Sequence, residues 1–446
     1  MPNNVKYLNE TIETVSLDEV REKIQQPKLL KQLSYVLANS PFYRRKFKDA
    51  GIELGDIKGL SDLSKIPFTG KDEIRESQAK FPPLGEHMAC GWDKVRRIYS
   101  SSGTTGRPAF MGLTHHDIVD VWLEIASRSR YCGGYGPGDR VVLTVNIGPF
   151  AAGSELTAFE KIGCTTIPLP PGNTDRVITA IQLGANCLLA TPSYVQYLIT
   201  WCSRNGIDPK SLGLKKITVS GEPGGSIPAI REKMQSAFNA VVTETAGLAD
   251  IAMSIWGECS HQCGMHFCAQ EHVFVELIDP TTGQNIELRE GATGELVYTA
   301  LDRECTPVVR FRSRDHVQMW TSKCECGRTS PRIRIIGRTD DMLIIQGVNV
   351  FPSAIKSVVG DFKPRTTGEL EIQLAEPGPA AKAPLPIKVE YSSGTVDLDR
   401  LKADIESTLR EKLVFRAQVQ LVPEGTLPRY EYKGKLIRKL YEEGTP

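Results

Sequence analysis

Between Arg140 and Phe238 short apolar runs alternate with amphipathic stretches, and this rhythm restricts the fold more than any other feature of the chain. Arg140–Asn146, Cys164–Pro168, Ala185–Ala190 and Lys216–Ser220 read as buried strands. Gly153–Ile162, Thr174–Leu183, Ser193–Arg204 and Ser226–Phe238 read as the helices that follow them. Strand-then-helix units imply a parallel sheet with helices on its faces, because parallel neighbours need a long crossover. Ligands of such sheets collect at the carboxyl ends of the strands. Beyond about residue 270 the rhythm changes to hairpins, with His272–Asp279, Gly294–Ala300 and Val308–Arg312 as strands. Residues 1–90 read as mainly helical, through Val20–Gln32, Leu33–Ala50 (closed by Gly51) and Lys71–Gln78. After a junction near Gly337–Asp341 come strands Met342–Ile345, Glu369–Leu374, Ile387–Tyr391 and Gln418–Leu421, with Leu398–Lys412 as a helix. The expected class is α/β: a large domain over residues 1–339, with helix-covered sheets and a hairpin or barrel-like part, then a small mobile α+β domain over 340–446.

A hydroxyl- and glycine-rich stretch, Tyr99–Pro108, lies just ahead of the alternating region. Ser100, Ser101, Ser102, Gly103, Thr104, Thr105 and Gly106 are followed by Arg107. Glycine lets backbone N–H groups converge on a ligand, hydroxyls add donors, and arginine adds a fixed charge. Such a loop suits a polyphosphate. The P-loop pattern is absent, and the run Ala109–Thr114 behind the loop reads as strand, so a plain Ser/Gly hairpin turn is the competing reading. The 54 basic and 53 acidic residues leave a net charge of +1, which gives no support for a nucleic-acid or membrane-surface partner. No apolar run reaches the ~18 residues of a membrane span. The first residues lack the charged-then-apolar order of a secretory signal, so a cytoplasmic setting is expected. Eleven cysteines, an odd number spread along the chain, argue against a disulfide framework.

Further segments join the loop in order: Asn39–Phe47, Leu63–Asp72, Ser220–Pro223, Pro307–Asp315, Gly337–Asp341, Gln346–Pro352 and Lys433–Arg438. In that sequence they resemble the adenylate-forming (acyl-CoA synthetase) superfamily, most closely its phenylacetate–CoA ligase branch, over nearly the whole chain. The resemblance implies that an acid attacks the α-phosphate of ATP to give an acyl-adenylate and pyrophosphate, and that coenzyme A then displaces AMP. It implies that Ser101, Ser102, Gly103, Thr104, Thr105 and Gly106 hold the leaving phosphates. Gly221, Glu222 and Pro223 would border the adenine, with Glu244 also on the nucleotide side. Asp315 would accept from the ribose hydroxyls, and Arg338 would support the adenylation pose. Lys435 would be the catalytic lysine, with Lys433 as its rival. Asp340 would be the hinge, and Gly347 would line the pantetheine tunnel. Read without the resemblance, Asp315 is a surface carboxylate and Lys435 part of a solvated basic tail.

The chain departs from the family's Tyr-Gly-x-[Ser/Thr]-Glu pattern, carrying Ala246, Gly247, Leu248, Ala249 and Asp250 in its place. Ala246 removes a ring expected near the adenine, and Asp250 stands where the Mg²⁺-binding glutamate is expected. Tyr135, Phe150, Ala151 and Gly153 fall where the branch builds its acyl pocket, although each alone reads as ordinary core. Cys259, His266, Cys324 and Cys326 suit a tetrahedral structural zinc, with Cys263 and His261 as substitutes and free cysteines as the alternative. The expected protein is an ATP-dependent aryl acid–CoA ligase that uses Mg²⁺, carries structural zinc and forms a homodimer. The competing reading is an adenylate-forming or nucleotide-binding homologue with another acceptor or little turnover.

Overall fold

The computed structural model describes residues 6–101, 108–145, 153–346, 348–430 and 435–442. Two single turns, α1 (Glu10–Glu13) and α2 (Leu17–Val20), lead into α3 (Gln26–Asn39), α4 (Pro41–Asp49) and α5 (Lys71–Lys80). The break between α3 and α4 falls at Ser40-Pro41, later than the expected break at Gln32. Proline lacks an N–H and is tolerated at the first helical turn, so Pro41 starts a helix that it could not continue. Strands β1 (Arg97–Ser100) and β2 (Phe110–Leu113) pair antiparallel, with Ser100 opposite Phe110. Helix α6 (Leu123–Cys132) follows.

The alternating region folds in the order read from its rhythm. Its elements are β3 (Arg140–Leu143), α7 (Ser154–Lys161), β4 (Thr165–Pro168), α8 (Thr174–Gln182), β5 (Cys187–Ala190), α9 (Pro192–Arg204), β6 (Lys216–Ser220) and α10 (Pro228–Phe238). β3 pairs in parallel with both β4 and β5, and β5 with β6. Side chains alternate across a strand, so both faces are filled from the same short runs. Val142 and Leu188 pack on one face with α8, α9 and α10; Val141, Leu143, Cys187 and Leu189 pack on the other with Phe159 of α7. That double burial is why these strands are continuous apolar runs.

The sheet continues through the hairpin region. Its further strands are β7 (Val241–Leu248), β8 (Ala252–Glu258), β9 (Met265–Phe267), β10 (Val273–Ile278), β11 (Asn285–Ile286), β12 (Thr293–Ala300), β13 (Phe311–Trp320) and β14 (Arg332–Arg338), with β6 joining β7 in parallel. The resulting twelve-stranded sheet runs β11-β10-β12-β13-β14-β9-β8-β7-β6-β5-β3-β4, so the hairpin part continues the parallel part through one ladder of paired strands. Beyond it lie β15 (Leu343–Ile345), β16 (Val348–Val350), α11 (Pro352–Gly360), β17 (Thr366–Leu374), β18 (Ala380–Ala381), β19 (Leu385–Tyr391), α12 (Leu398–Leu413), β20 (Ala417–Pro423) and β21 (Ile437–Lys439). These elements share an apolar cluster of their own, in which Leu401, Ile405 and Leu409 present one buried stripe of α12. The C-terminal unit meets the large sheet at Phe351, whose ring stacks on His316 at 5.0 Å. Gly337 lies under that ring, and a Cβ there would come within 2.6 Å of Phe351.

Candidate active site and metal cluster

At the carboxyl end of β6 the chain turns sharply at Gly221, whose φ of 95° favours glycine. Glu222 accepts from the Ser193 backbone N–H at 2.7 Å and so ties this turn to the start of α9. Pro223 is exposed in the same turn. Gly225 donates its N–H to Glu244 Oε1 at 3.0 Å. A Cβ at Gly225 would meet Val219 at 2.6 Å and Glu244 at 2.8 Å, so the turn lies directly on the sheet. Glu244, on β7, is buried beneath it and supports the turn from below. Burial and the neighbouring Glu258 charge push the Glu244 carboxyl up to about 7. Glu258 is itself paired with Arg231 at 2.7 Å.

Asp315, Arg338 and Asp340 come together across the edge of β13 and β14. Register places Asp315 opposite Arg338. One guanidinium nitrogen of Arg338 donates to Asp315 Oδ1 at 3.1 Å, while its other two nitrogens fork onto Asp340 at 2.9 and 2.8 Å. Thus the expected ribose ligand and the expected hinge share one arginine. Burial pushes the Asp315 carboxyl up to about 6, against the pull of Arg338.

The segment Ala246–Asp250 forms the tip of the β7–β8 hairpin, with a register shift between Ala246 and Leu248. Gly247 is pressed against the returning strand: a Cβ there would lie 2.4 Å from Ser254 N and 2.7 Å from Ala252 O. Gly247→Ala is therefore expected to displace the hairpin backbone and lower stability by about 1–3 kcal/mol, the usual range for overpacking. Thermal unfolding checks this, and an unchanged midpoint would contradict the close approach. Asp250 is 2% exposed, and its Oδ2 accepts from Lys71 Nζ at 2.9 Å, while its Oδ1 has no partner among the described residues. Lys71, the first residue of α5, is a site residue that sequence reasoning misses. Its place in Leu63–Asp72 is the only signal, since its partner lies 179 positions away.

Ser101 closes the β1–β2 hairpin, donating its N–H to Ala109 O at 2.8 Å and accepting from Ala109 N–H at 3.1 Å. Ser102, Gly103, Thr104, Thr105, Gly106, Phe150, Ala151, Gly347 and Lys433 lie outside the described residues. Gly153 immediately precedes α7. Lys435 is exposed, two residues before β21. Tyr135 departs from its expected place in the acyl pocket. It is buried at the amino ends of β3 and β6, edge-on to Phe159 and beneath Lys216 Nζ, at the opposite end of the sheet from Gly221. A ring among glycines reads like a pocket wall, but local sequence does not encode which end of a strand it packs on.

The four expected zinc ligands converge. Cys259, His266, Cys324 and Cys326 are all buried, with their ligand atoms within 4.8 Å of one another. Cys326 Sγ lies 3.4 Å from His266 Nε2, and Cys259 Sγ lies 3.8 Å from Cys324 Sγ. Cys259 and His266 together pull the Cys326 thiol well below its ordinary range. Cys263 Sγ lies 3.4 Å from Cys324 Sγ and also accepts from Arg332 at 2.7 Å, and His261 is paired with Glu325. Among the described residues no helix is long and apolar enough to cross a membrane.

Comparison with known proteins gives a consistent result. The sequence pattern described as "AMP-binding enzyme" matches residues 45–300, and that described as "AMP-binding enzyme C-terminal domain" matches residues 347–439. The phenylacetate-coenzyme A ligase of Thermus thermophilus is 32% identical over 96% of this chain and 98% of its own length. The phenylacetate-coenzyme A ligase of Escherichia coli is 31% identical over 95% of each chain. Among solved structures, 2-hydroxyisobutyryl-CoA ligase in its postadenylation state superposes with a TM-score of 0.90 at 27% identity, covering 99% of this chain and 94% of the other. The same enzyme in its thioesterification state, with 2-HIB-AMP and CoA, gives a TM-score of 0.71 over 98% and 93%.

Proposed function

The chain belongs to the AMP-binding enzyme family, and from that premise we propose that it joins an aromatic, phenylacetate-like acid to coenzyme A through an acyl-adenylate, with release of AMP and pyrophosphate. The observation that carries this reading is the likeness to phenylacetate-coenzyme A ligases along almost the entire chain. The aromatic acid is the finer part of the proposal. It rests on those relatives' names.

Adenylation transfers an AMP unit to a carboxylate, and such transfer depends on positioning and charge neutralisation more than on covalent help. Gly221–Pro223 would border the adenine, held in shape by Glu222 on α9 and Glu244 below. Asp315 would accept from the ribose hydroxyls, oriented by Arg338. The segment around Ser101–Gly106 would grip the departing phosphates, and Lys435 would neutralise charge at the α-phosphate. Asp250, buried with one oxygen lacking a partner among the described residues and an ammonium on the other, fits a Mg²⁺ ligand. When bound there, Mg²⁺ would supply charge compensation for the phosphates, and Lys71 places a further positive charge beside Asp250. The Cys259/His266/Cys324/Cys326 set fits structural zinc, since four soft or borderline ligands close a tetrahedron and leave no position for chemistry. A small domain over residues 340–446 that turns about Asp340, with Gly347 facing the pantetheine arm, would serve the second half-reaction. The better superposition on the postadenylation form supports reading this arrangement as the first pose. A homodimer is the proposed assembly.

Pyrophosphate release measured with a panel of aromatic acids, with and without coenzyme A, tests the reading. CoA-dependent turnover with an aryl acid is the expected result. No release with any acid would favour a nucleotide-binding protein, and sustained turnover without CoA would point to another acceptor. The Asp315 role has its own check. Asp315→Asn should raise the ATP KM about ten- to hundredfold, the effect of losing a hydrogen bond to a charged group. The raised Asp315 pKa means that the carboxylate forms only above about 6, so the wild-type ATP KM should climb as pH falls through that value. A flat ATP KM across roughly pH 5 to 8, the range in which a group of that pKa changes charge, would remove Asp315 from the nucleotide site.

A further inference from the structure

A sealed polar cluster lies beneath the β7–β8 hairpin. Its centre is Arg130 of α6, only 1% exposed. The guanidinium Nε donates to Glu155 Oε2 at 2.7 Å, and a terminal nitrogen reaches the same oxygen at 2.6 Å. That nitrogen also donates to Ser254 Oγ at 2.7 Å, and the third nitrogen donates to Thr245 Oγ1 at 3.2 Å. Ser254 Oγ in turn donates to Glu155 Oε1 at 2.6 Å, so the carboxylate is met on both oxygens. All four side chains are buried. Ser254 holds φ at 54°, a left-handed conformation uncommon for residues other than glycine.

A buried ion pair of this kind is weak evidence for stability, because apolar side chains of the same volume often serve as well. Its placement is more informative. Thr245 directly precedes Ala246, and Ser254 lies on the return strand of the hairpin whose tip carries Asp250. Glu155 is the second residue of α7, which starts immediately after the segment expected to wall the acid. One planar fork therefore ties two elements together: the hairpin expected on the nucleotide side, through two hydroxyls, and helix α7, through a carboxylate. Lysine could keep the charge but not the fork.

We propose that Arg130 and Glu155 form a positioning pair that fixes the separation of the acid and nucleotide walls, and so the approach of the acid to the α-phosphate and the selectivity among acids. This rests on the ligase reading above. In the step served, a carboxylate oxygen forms the bond to the α-phosphorus with its own electron pair. The bond from that phosphorus to the bridging oxygen breaks, and pyrophosphate leaves with the pair; no proton moves. Reacting atoms must sit about 3–3.5 Å apart, and a 1 Å misplacement costs about a hundredfold in rate.

The test compares Arg130→Lys and Glu155→Gln with wild type, using the best acid of the panel. Pyrophosphate release, ATP affinity by calorimetry and thermal midpoint are measured on each protein. The expected result is a ten- to hundredfold fall in kcat/KM for the acid in both variants, ATP affinity held within threefold, and a flattened ranking of acids across the panel. Equal falls in acid kcat/KM and ATP affinity, or a lowered midpoint with acid kcat/KM unchanged, would make the pair merely structural. Should either variant fail to fold, Ser254→Ala and Thr245→Val take its place, with the same split expected at three- to tenfold and its absence overturning the proposal. Wild type that releases no pyrophosphate with any acid sinks the ligase reading itself, a failure distinct from any ratio among the variants.

Discussion

Lys435→Ala should reduce adenylation by about 10²–10³-fold, the loss expected when one preorganised charge stabiliser is taken from a transition state (about 2.7–4 kcal/mol). The lysine is exposed at the lead into β21, which pairs in parallel with β17. Its ammonium has no buried role whose loss would unfold the chain, so the thermal midpoint of the variant should stay near that of wild type. A compact charge on a flexible four-carbon stem can follow charge as it develops, which a rigid guanidinium cannot. The measurement is pyrophosphate release with the acid and ATP, beside thioester formation from preformed acyl-adenylate and CoA. The first should collapse and the second persist. Intact pyrophosphate release would end the assignment, and Lys433→Ala then shows whether the role passes to Lys433.

Much of this architecture is legible from local pattern, for a physical reason. Parallel strands buried on two faces must be short and apolar, so Arg140–Leu143, Cys187–Ala190 and Lys216–Ser220 announce themselves. Strand β8 does not, because Ala252–Glu258 lies almost wholly inside and shows no alternation to read. Arg128 and Arg130 give the opposite impression. On a helix they suggest a solvated face, yet each is 1% exposed, because Glu271 and Glu155 meet them from distant parts of the chain. Lys71 is hidden in the same way by Asp250. The Cys/His cluster is readable because its residue types are rare and their spacing within each turn survives the 60 positions that separate His266 from Cys326. What sequence withholds is the partner that makes a charge buriable. At this site those partners lie on other elements, not on neighbouring turns.

Purified without chelators, the protein should carry about one zinc per chain, and Cys324→Ala should lose it. The set joins the β8–β9 turn to the segment around Cys324 and Cys326, and that segment is tied to α1 by Arg328, which pairs with Glu13. Three separate stretches therefore depend on one knot. Without the ion, three buried cysteine sulfurs and an imidazole are left packed together with no cation among them. Loss of a structural metal belongs to the class of changes costing more than about 4 kcal/mol. At about 2–4 °C per kcal/mol for a large domain, the midpoint should fall on the order of 10 °C. Two neighbours serve as controls. His261→Ala and Cys263→Ala remove residues near the cluster that face Glu325 and Arg332, so both variants should keep their zinc. Because all four ligands come from the protein, wild-type adenylation assayed with Mg²⁺ restored should withstand brief chelator treatment as long as the knot stays loaded, and fail together with the fold. Equal zinc in Cys324→Ala and wild type, or none in either, would remove the metal and leave four reduced side chains packed in a core.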